Sequence, residues 1–442
     1  MRYHIWTEGC QMNEADSQKL AAGLAKLGWE EASAPDDADL AVVNTCVVRQ
    51  KAEDRAVGYM SKLKKLKAGR DGMQIAVMGC MVGPRSDDLR ARFPFVDVWA
   101  RPQNFDAIIR QVMPEDDLGG EFWPDTFPEP KGPTAFVPII HGCNKFCTYC
   151  IVPFRRGREK SRTIDDITSE VASLARRGVR EVTLLGQTVE AYGKDLPEID
   201  GAARKPDLAD LLESISAIDD IVRIRFLTSY PRDMTDRIIQ SVGDQPKVCE
   251  HFNIPVQAGD NETLARMRRG YTIEEYLECV AKIREHVPHA ALSTDVIVGF
   301  CGETEAQFQH TLDVLEQVRF DKVHVAAYSP RPGTFAWRQI EDDVPQEEKS
   351  RRLHAVEALQ ERVSTEKNSL FLNTRQEVLV EGDAEGPDGQ TVFTGRNRAN
   401  KLVHFSARPA PALGDLVSVH VAKTTPWSLQ GEMVPAGAVA AA

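Results

Sequence analysis

The chain has 442 residues, 42% apolar and 27% charged, which excludes wholesale disorder and collagen-like or coiled-coil classes and favours two to four domains over one core. Its formal charge of −12 provides no whole-molecule field for nucleic acid, so any polyanion site has to be local. Apolar runs such as Leu292–Val298 stop short of the roughly 18 residues a membrane helix needs, and the N-terminus has no signal-like stretch, so the expected compartment is the cytoplasm with no membrane partner.

In chain order, Tyr3–Trp6, Leu40–Asn44 and Ile75–Met78 read as short strands alternating with helices over Ala15–Leu27 and Gln50–Leu66, the pattern of a small α/β parallel-sheet domain over 1–112. Residues 113–134 are acidic and rich in proline and read as a linker. From 135 to 345 strand and helix alternate again. The strands are Phe136–Ile140, Glu181–Leu185, Val222–Leu227, His251–Pro255, Ala291–Val298 and Lys322–Ala327, which predicts a partial (β/α)6 barrel with its chemistry at the strands' C-terminal ends. Residues 346–370 read as a charged bridging helix. Residues 371–435 hold short strands with turn signals, predicting a small antiparallel β-barrel, and 436–442 form a low-complexity, disordered tail. The fold class is α/β.

Nine cysteines without an export signal point to metal ligation or catalysis rather than disulfides. Cys10, Cys46 and Cys80 each follow one of the first three strands, so a parallel sheet would deliver them to one edge. Cys143, Cys147 and Cys150 form C-x3-C-x2-C immediately after the first barrel strand. That spacing lets three thiolates hold one iron–sulfur cube and leaves its fourth iron open; the rival is a zinc site completed by His141. Cys249 and Cys279 read as core, and no P-loop or G-x-G-x-x-G opens a helix after a strand.

The C-x3-C-x2-C after the first strand of a βα barrel resembles the radical S-adenosylmethionine (SAM) superfamily. With Cys10, Cys46 and Cys80 ahead of it and a small barrel at the end, the chain resembles the methylthiotransferases over nearly its whole length. Supporting motifs are Gly142–Pro153, Arg156-Gly-Arg-Glu159 with Ser161-Arg162, Met267-Arg-Arg-Gly-Tyr271 and Tyr328-Ser-Pro-Arg-Pro-Gly333. Gly9-Cys-Gln-Met-Asn-Glu14, Asn44-Thr-Cys-Val-Val-Arg49 and Lys51-Ala-Glu-Asp54 are similar to the branch acting on N6-isopentenyl(dimethylallyl)adenosine beside the tRNA anticodon. Other branches act on threonylcarbamoyl-adenosine or a ribosomal-protein aspartate, and an RNA-binding protein with structural metal is the non-enzyme alternative.

The resemblance implies two [4Fe-4S] clusters, one on Cys10, Cys46 and Cys80 and one on Cys143, Cys147 and Cys150, and a TRAM-like RNA-binding barrel. It implies SAM as radical source and methyl donor, with a methylthio group inserted at C2 of adenine. Partners would be the isopentenyl-adenosine tRNA, an electron donor such as flavodoxin or ferredoxin, and a sulfur donor. Gly186 and Gln187 end the second barrel strand, where the family holds SAM; Ser229, Gln257 and Asp295 end later strands and are further cofactor candidates. Cys301 and Asn253 depart from the family's usual residues, and Cys301 is expected to be a bystander.

Local charge offers two RNA-facing stretches on this acidic chain: residues 49–70 hold eight basic and two acidic side chains, and residues 143–162 hold six and one. Lys64 and Lys67, three residues apart on a helix, are a plausible phosphate-contacting pair. In the C-terminal barrel only Arg396, Arg398 and Lys401 cluster.

Overall fold

A computed structural model describes residues 1–47, 50–84, 87–112, 127–199, 201, 203–386 and 389–435. Most of the expected linker, the whole expected tail and Arg49 therefore lie outside the described residues. No helix among the described residues is long and apolar enough to cross a membrane.

The N-terminal sheet comprises β1 (Arg2–Thr7), β2 (Glu30–Glu31), β3 (Leu40–Thr45), β4 (Gln74–Gly79) and β5 (Val98–Ala100), all parallel in the order β2-β1-β3-β4-β5. Helix α1 (Gln11–Lys26) follows β1 and α2 (Gln50–Ala68) follows the β3 loop. The strand β3, Leu-Ala-Val-Val-Asn-Thr, is buried throughout, as a central parallel strand covered on both faces must be.

The core runs through β6 (Thr134–Pro138), a β7–β8 pair (Ile140–His141 with Lys160–Ser161), β9 (Glu181–Leu185), β10 (Arg223–Phe226), β11 (His251–Asn253), β12 (Ala291–Val298) and β13 (Lys322–Ala327). The six barrel strands occur in the expected order. They form two parallel three-stranded ladders, β10-β9-β6 and β11-β12-β13, linked by a single bridge between Ile224 and Val248. The helices between them carry their stop and start signals: Thr272 and Thr304 close capping boxes with Glu275 and Gln307. Met12 and Ala15 of α1 pack on Leu185, Phe136 and Leu227, so the first domain leans on the edge of the core beside β6.

The helix Gln346–Ser369 does not bridge through solvent. It packs along β12 and β13, burying Lys349, Arg352, Val356, Gln360, Val363 and Asn368, a helical spacing in which most members are polar. Arg352 pairs with Glu303 at 2.8 Å and Lys349 with Asp342 at 2.5 Å, so the buried charges are matched. The weak apolar period of this stretch follows from that choice of residues.

The last five strands, β14 (Arg375–Glu385), β15 (Thr391–Asn397), β16 (Leu402–Ser406), β17 (Leu416–Thr424) and β18 (Ser428–Val434), close a barrel. Four of the five pairings are antiparallel, as expected for this barrel, and β16 with β18 runs parallel. Directions cannot alternate all the way round a ring with an odd number of strands, so one parallel pair is required.

This barrel docks on the core through buried arginines. Arg223 donates to the Arg396 carbonyl at 2.6 Å and to Glu377, while Arg225 donates to the carbonyls of Asn397 and Arg398 at 2.8 and 2.9 Å. In return Arg398 grips Glu250 at 2.7 Å and the Val248 carbonyl at 2.6 Å, and Lys401 reaches Asp321 at 3.1 Å. The basic cluster Arg396, Arg398 and Lys401 is engaged within the protein: two of its members hold the barrel on the core, and Arg396 faces Glu381 at 3.5 Å.

Candidate iron–sulfur and cofactor site

Cys10, Cys46 and Cys80 follow β1, β3 and β4, three adjacent strands, so the sheet order delivers them to one edge. Their loops are tied together by side chains. The Asn13 amide donates to Asn44 at 2.8 Å and to the Thr45 carbonyl at 3.1 Å, and the Cys10 thiol donates to Asn13 Oδ1 at 3.3 Å. Asn44 answers by donating to the Asn13 carbonyl at 2.8 Å. Gly79, at φ +95°, lies against Thr45, where a Cβ would fall 2.4 Å from the carbonyl oxygen. Only glycine permits both that conformation and that approach.

The second group sits in the loop after β7. Gly142 has φ +75°, and a Cβ there would fall 2.1 Å from the Arg158 carbonyl, so the Arg156-Gly-Arg stretch closes directly over the start of the cysteine loop. Thr148 between the cysteines is held by the Met267 and Arg266 carbonyls at 3.0 and 2.9 Å, and its own carbonyl accepts from Ala336 at 2.8 Å. The motifs at 156–162, 267–271 and 328–333 thus all gather around one loop.

Each group of cysteines has guanidinium beside it. Arg269, 7% exposed, donates to Cys147 Sγ at 3.4 Å. Arg156, from the core, crosses to the first domain, where it pairs with Asp16 at 2.8 Å with both side chains almost fully buried and lies beside the Cys80 thiol. Arg331 also crosses over, donating to Gln50 at 3.0 Å and acting electrostatically on Cys46. Nη1 of Arg156 and Nε of Arg331 are buried without partners. Sequence reasoning quoted all three arginines inside motifs but gave them no role.

The donor set suits iron–sulfur clusters. Burial raises the thiols of Cys80 and Cys143 and pushes Cys150 up to about 12, so near neutral pH these sulfurs keep their protons unless a metal takes the proton's place. Adjacent guanidinium favours the thiolate and compensates the negative charge of a thiolate-bound cluster. Among the described residues no three His, Cys, Asp or Glu side chains close on a point fitting one metal ion. His141 is engaged elsewhere: its Nδ1 meets the Gln103 amide, and burial, with Arg156 nearby, lowers its pKa to about 3.

The five candidate cofactor residues divide. At Gly186 a Cβ would fall 2.5 Å from Ile140 Cγ2, so glycine is required there for packing. Gln187 Oε1 is a buried acceptor without a partner, as a missing polar ligand would leave it, whereas the Ser229 hydroxyl lies against the Glu190 carboxyl. Gln257 holds φ +69°, and its backbone pairs with Asp295 and Ile297 at 2.9 Å. Asp295 accepts from Asn253 at 3.3 Å. Asn253 also takes the Thr228 N–H at 3.3 Å and donates to Ser293 at 3.2 Å, joining the end of β11 to the loop after β10 and to β12, in whose interior Asp295 lies rather than at its expected end. That shared role was not legible in its departure from the family residue. Thr188, whose hydroxyl lies 3.8 Å from Cys143 Sγ, also went unmarked.

Cys301 is 1% exposed and its thiol lies beside the Tyr328 hydroxyl. Cys301→Ala is expected to retain the full iron content of the wild type. Loss of iron from that variant, assayed in parallel after anaerobic reconstitution, would make the thiol a ligand or a guard of one.

Both basic stretches are partly taken up by internal pairs. Lys67 binds Asp97 at 2.6 Å, Arg70 binds Asp39 at 2.7 Å and Arg55 binds Glu8 at 3.0 Å. In the second stretch Arg162 binds Glu170 at 2.6 Å and Lys145 binds Asp233 at 2.5 Å. The expected pair of Lys64 with Lys67 is corrected accordingly: Lys67 turns inward, and Lys64 stands 5.7 Å from the centre of the Phe95 ring. Lys62 and Lys65, three residues apart, are both exposed, as is Lys64.

Residues 2–101 match the uncharacterized protein family UPF0004, residues 137–315 the Radical SAM superfamily and residues 370–434 the TRAM domain. A protein of Dehalococcoides mccartyi named tRNA-2-methylthio-N(6)-dimethylallyladenosine synthase is 44% identical, with 98% of each chain covered. One of the same name from Roseiflexus is 43% identical over 97% of this chain and 89% of its own. In three dimensions the radical S-adenosylmethionine methyltransferase TsrM from Kitasatospora setae, solved with cobalamin and a [4Fe-4S] cluster bound, superposes with a TM-score of 0.55 at 14% identity, covering 76% of this chain and 77% of that one. That likeness shows the fold.

Proposed function

The chain belongs to the tRNA-2-methylthio-N(6)-dimethylallyladenosine synthase family, and from that premise we propose that it inserts a methylthio group at C2 of N6-dimethylallyladenosine in tRNA, next to the anticodon. Cys143, Cys147 and Cys150 would hold the cluster that binds SAM, and Cys10, Cys46 and Cys80 a second cluster. When bound, these groups supply reductive cleavage of SAM and a site for the sulfur to be inserted, chemistry that acid–base side chains cannot perform on an aromatic carbon. SAM serves both as radical source and as methyl donor.

The protein's own contribution is positioning. Arg269, Arg156 and Arg331 place positive charge on the thiolates, and Gln187 and Ser229 offer polar atoms at the strand ends beside the SAM-binding loop. The observation that carries this reading is the pair of three-cysteine groups, one beyond the ends of three parallel strands and one in the loop after β7, each faced by guanidinium from the core. An electron donor such as flavodoxin or ferredoxin and a source of sulfur complete the proposal. Nucleoside mass spectrometry of tRNA from cells lacking this protein tests it. The methylthio nucleoside should vanish and its dimethylallyl precursor accumulate; an unchanged nucleoside profile sinks the reading.

The exposed face of α2 offers a test of RNA contact. Each phosphate contact adds about −0.9 to the slope of log affinity against log salt. Replacing Lys62 and Lys65 together with glutamate is expected to weaken tRNA binding and flatten that slope by about 1 to 2, with SAM cleavage in the absence of RNA retained. An identical slope in both proteins returns this face to solvent.

A further inference from the structure

A cavity of about 520 Å³ opens where the chain leaves β9 and β10, lined among others by Glu190, Tyr192, Lys194, Lys205, Arg232 and Asp233. Two side chains in its wall each bury a polar atom that closes no hydrogen bond. Glu190, 2% exposed, accepts the Tyr230 N–H on Oε2 at 3.1 Å and has the Ser229 hydroxyl beside its carboxyl, but its Oε1 closes no hydrogen bond; Tyr192, 1% exposed, closes none with its hydroxyl. Burial pushes the Glu190 carboxyl up to about 7, so near neutral pH it can either donate or accept a hydrogen bond. Such groups are costly to leave unsatisfied, and a ligand edge carrying both a donor and an acceptor would satisfy them.

Pro206 and Ile238 add apolar wall, and the exposed part of the lining is mainly cationic, with Asp207 and Asp233 beside it. The Lys194 and Arg232 side chains are 55% and 57% exposed, whereas Asp233 beneath them is 10% exposed. Lys194 pairs with Asp233 at 2.6 Å and Lys205 donates to the Lys194 carbonyl at 2.7 Å, exposed contacts that a phosphate can replace at little cost. A polar floor, an apolar waist and a cationic rim match the edge, the face and the phosphate of a nucleotide. The cavity also adjoins the cysteine loop, because Lys145 of that loop grips Asp233 at 2.5 Å and lies over the Tyr230 ring.

We propose that this cavity is a subsite for a nucleotide of the RNA substrate other than the adenosine that is modified. Its base would sit on Glu190 and Tyr192 and its phosphate on Lys194, Lys205 and Arg232. The inference rests on the RNA-modifying reading above.

The test is anaerobic titration of the full-length protein with anticodon stem-loop RNAs, intact or carrying a single abasic residue at each position flanking the target adenosine, with AMP and CMP titrated alongside. Wild-type protein is expected to lose about tenfold in affinity for one flanking abasic RNA. Glu190→Gln and the rim variant Lys205→Ala/Arg232→Ala should bind intact RNA several-fold more weakly, and Glu190→Gln should show little further loss with that same abasic RNA. Equal affinity of wild type for every flanking abasic RNA overturns the proposal, as does an undiminished abasic penalty in Glu190→Gln. Mononucleotide binding that the stem-loop does not displace overturns it too, assigning the cavity to a free nucleotide. A wild type that binds no stem-loop at all overturns the RNA-modifying reading itself, so the two failures are distinguishable. The rim variant lies on exposed side chains and keeps the test sound if Glu190→Gln folds poorly.

Discussion

Cys147→Ala is expected to abolish deoxyadenosine formation from SAM, a loss beyond the assay's range rather than a fractional one. The loop is built around its three thiols: Arg269 donates to Cys147, Thr148 beside it anchors on the 266–267 carbonyls, and Cys150 N–H bonds the Cys147 carbonyl at 3.0 Å. Two thiols cannot present an iron–sulfur cube with a single open iron. Cys46→Ala should behave differently, because it lies in another domain; deoxyadenosine formation should persist while methylthio product disappears. Iron content provides a reading independent of turnover, since each variant should lose about half of the iron that reconstituted wild type carries. Normal sulfur insertion by Cys46→Ala would sink the second-cluster assignment, and SAM cleavage by Cys147→Ala would sink the first.

Arg156→Ala should be strongly destabilising. It leaves Asp16 buried in the first domain without its partner, and breaking such a pair costs about 3–5 kcal/mol. Burial already raises the Asp16 carboxyl, and removing Arg156 takes away the charge that opposes that shift. The measurement is the denaturant midpoint of the metal-free protein for Arg156→Ala, Asp16→Asn and Arg156→Met/Asp16→Asn. The double variant is expected to recover most of the stability, because replacing both charges by neutral groups of similar volume removes the desolvation problem. A single variant as stable as wild type would show that the pair contributes nothing. Iron content of the Cys10, Cys46 and Cys80 group in the Arg156→Met/Asp16→Asn protein then separates stability from cluster positioning.

Much of this molecule is local in the chain and therefore legible in the sequence. The period-2 and period-3.6 patterns are generated by near neighbours, so β3, β9, β12 and β13 and the helices between them were readable with little error. Cysteine spacing is equally local: three thiols within eight residues at 143–150 need only one loop to converge, and cysteines placed after successive strands need only a parallel sheet. Charge was different, because a basic run looks the same whether its partners are solvent, RNA or a carboxylate far along the chain. Arg156 finds Asp16 across 140 residues, Arg331 finds Gln50 across 281 and Arg398 finds Glu250 across 148. No spacing rule encodes those distances, so parts of two basic stretches and of the barrel's basic cluster became internal ties only once the domains were packed. The parallel closure of β16 on β18, the shared anchoring by Asn253 and the cavity lined by Glu190 and Tyr192 were likewise decided by tertiary structure, since each is made by segments that meet only when the strands are in place. The sequence by itself determined the elements, the cysteines and the order of the domains; the fold decided which charges are left for a substrate, because ion pairing is a property of three-dimensional proximity and burial.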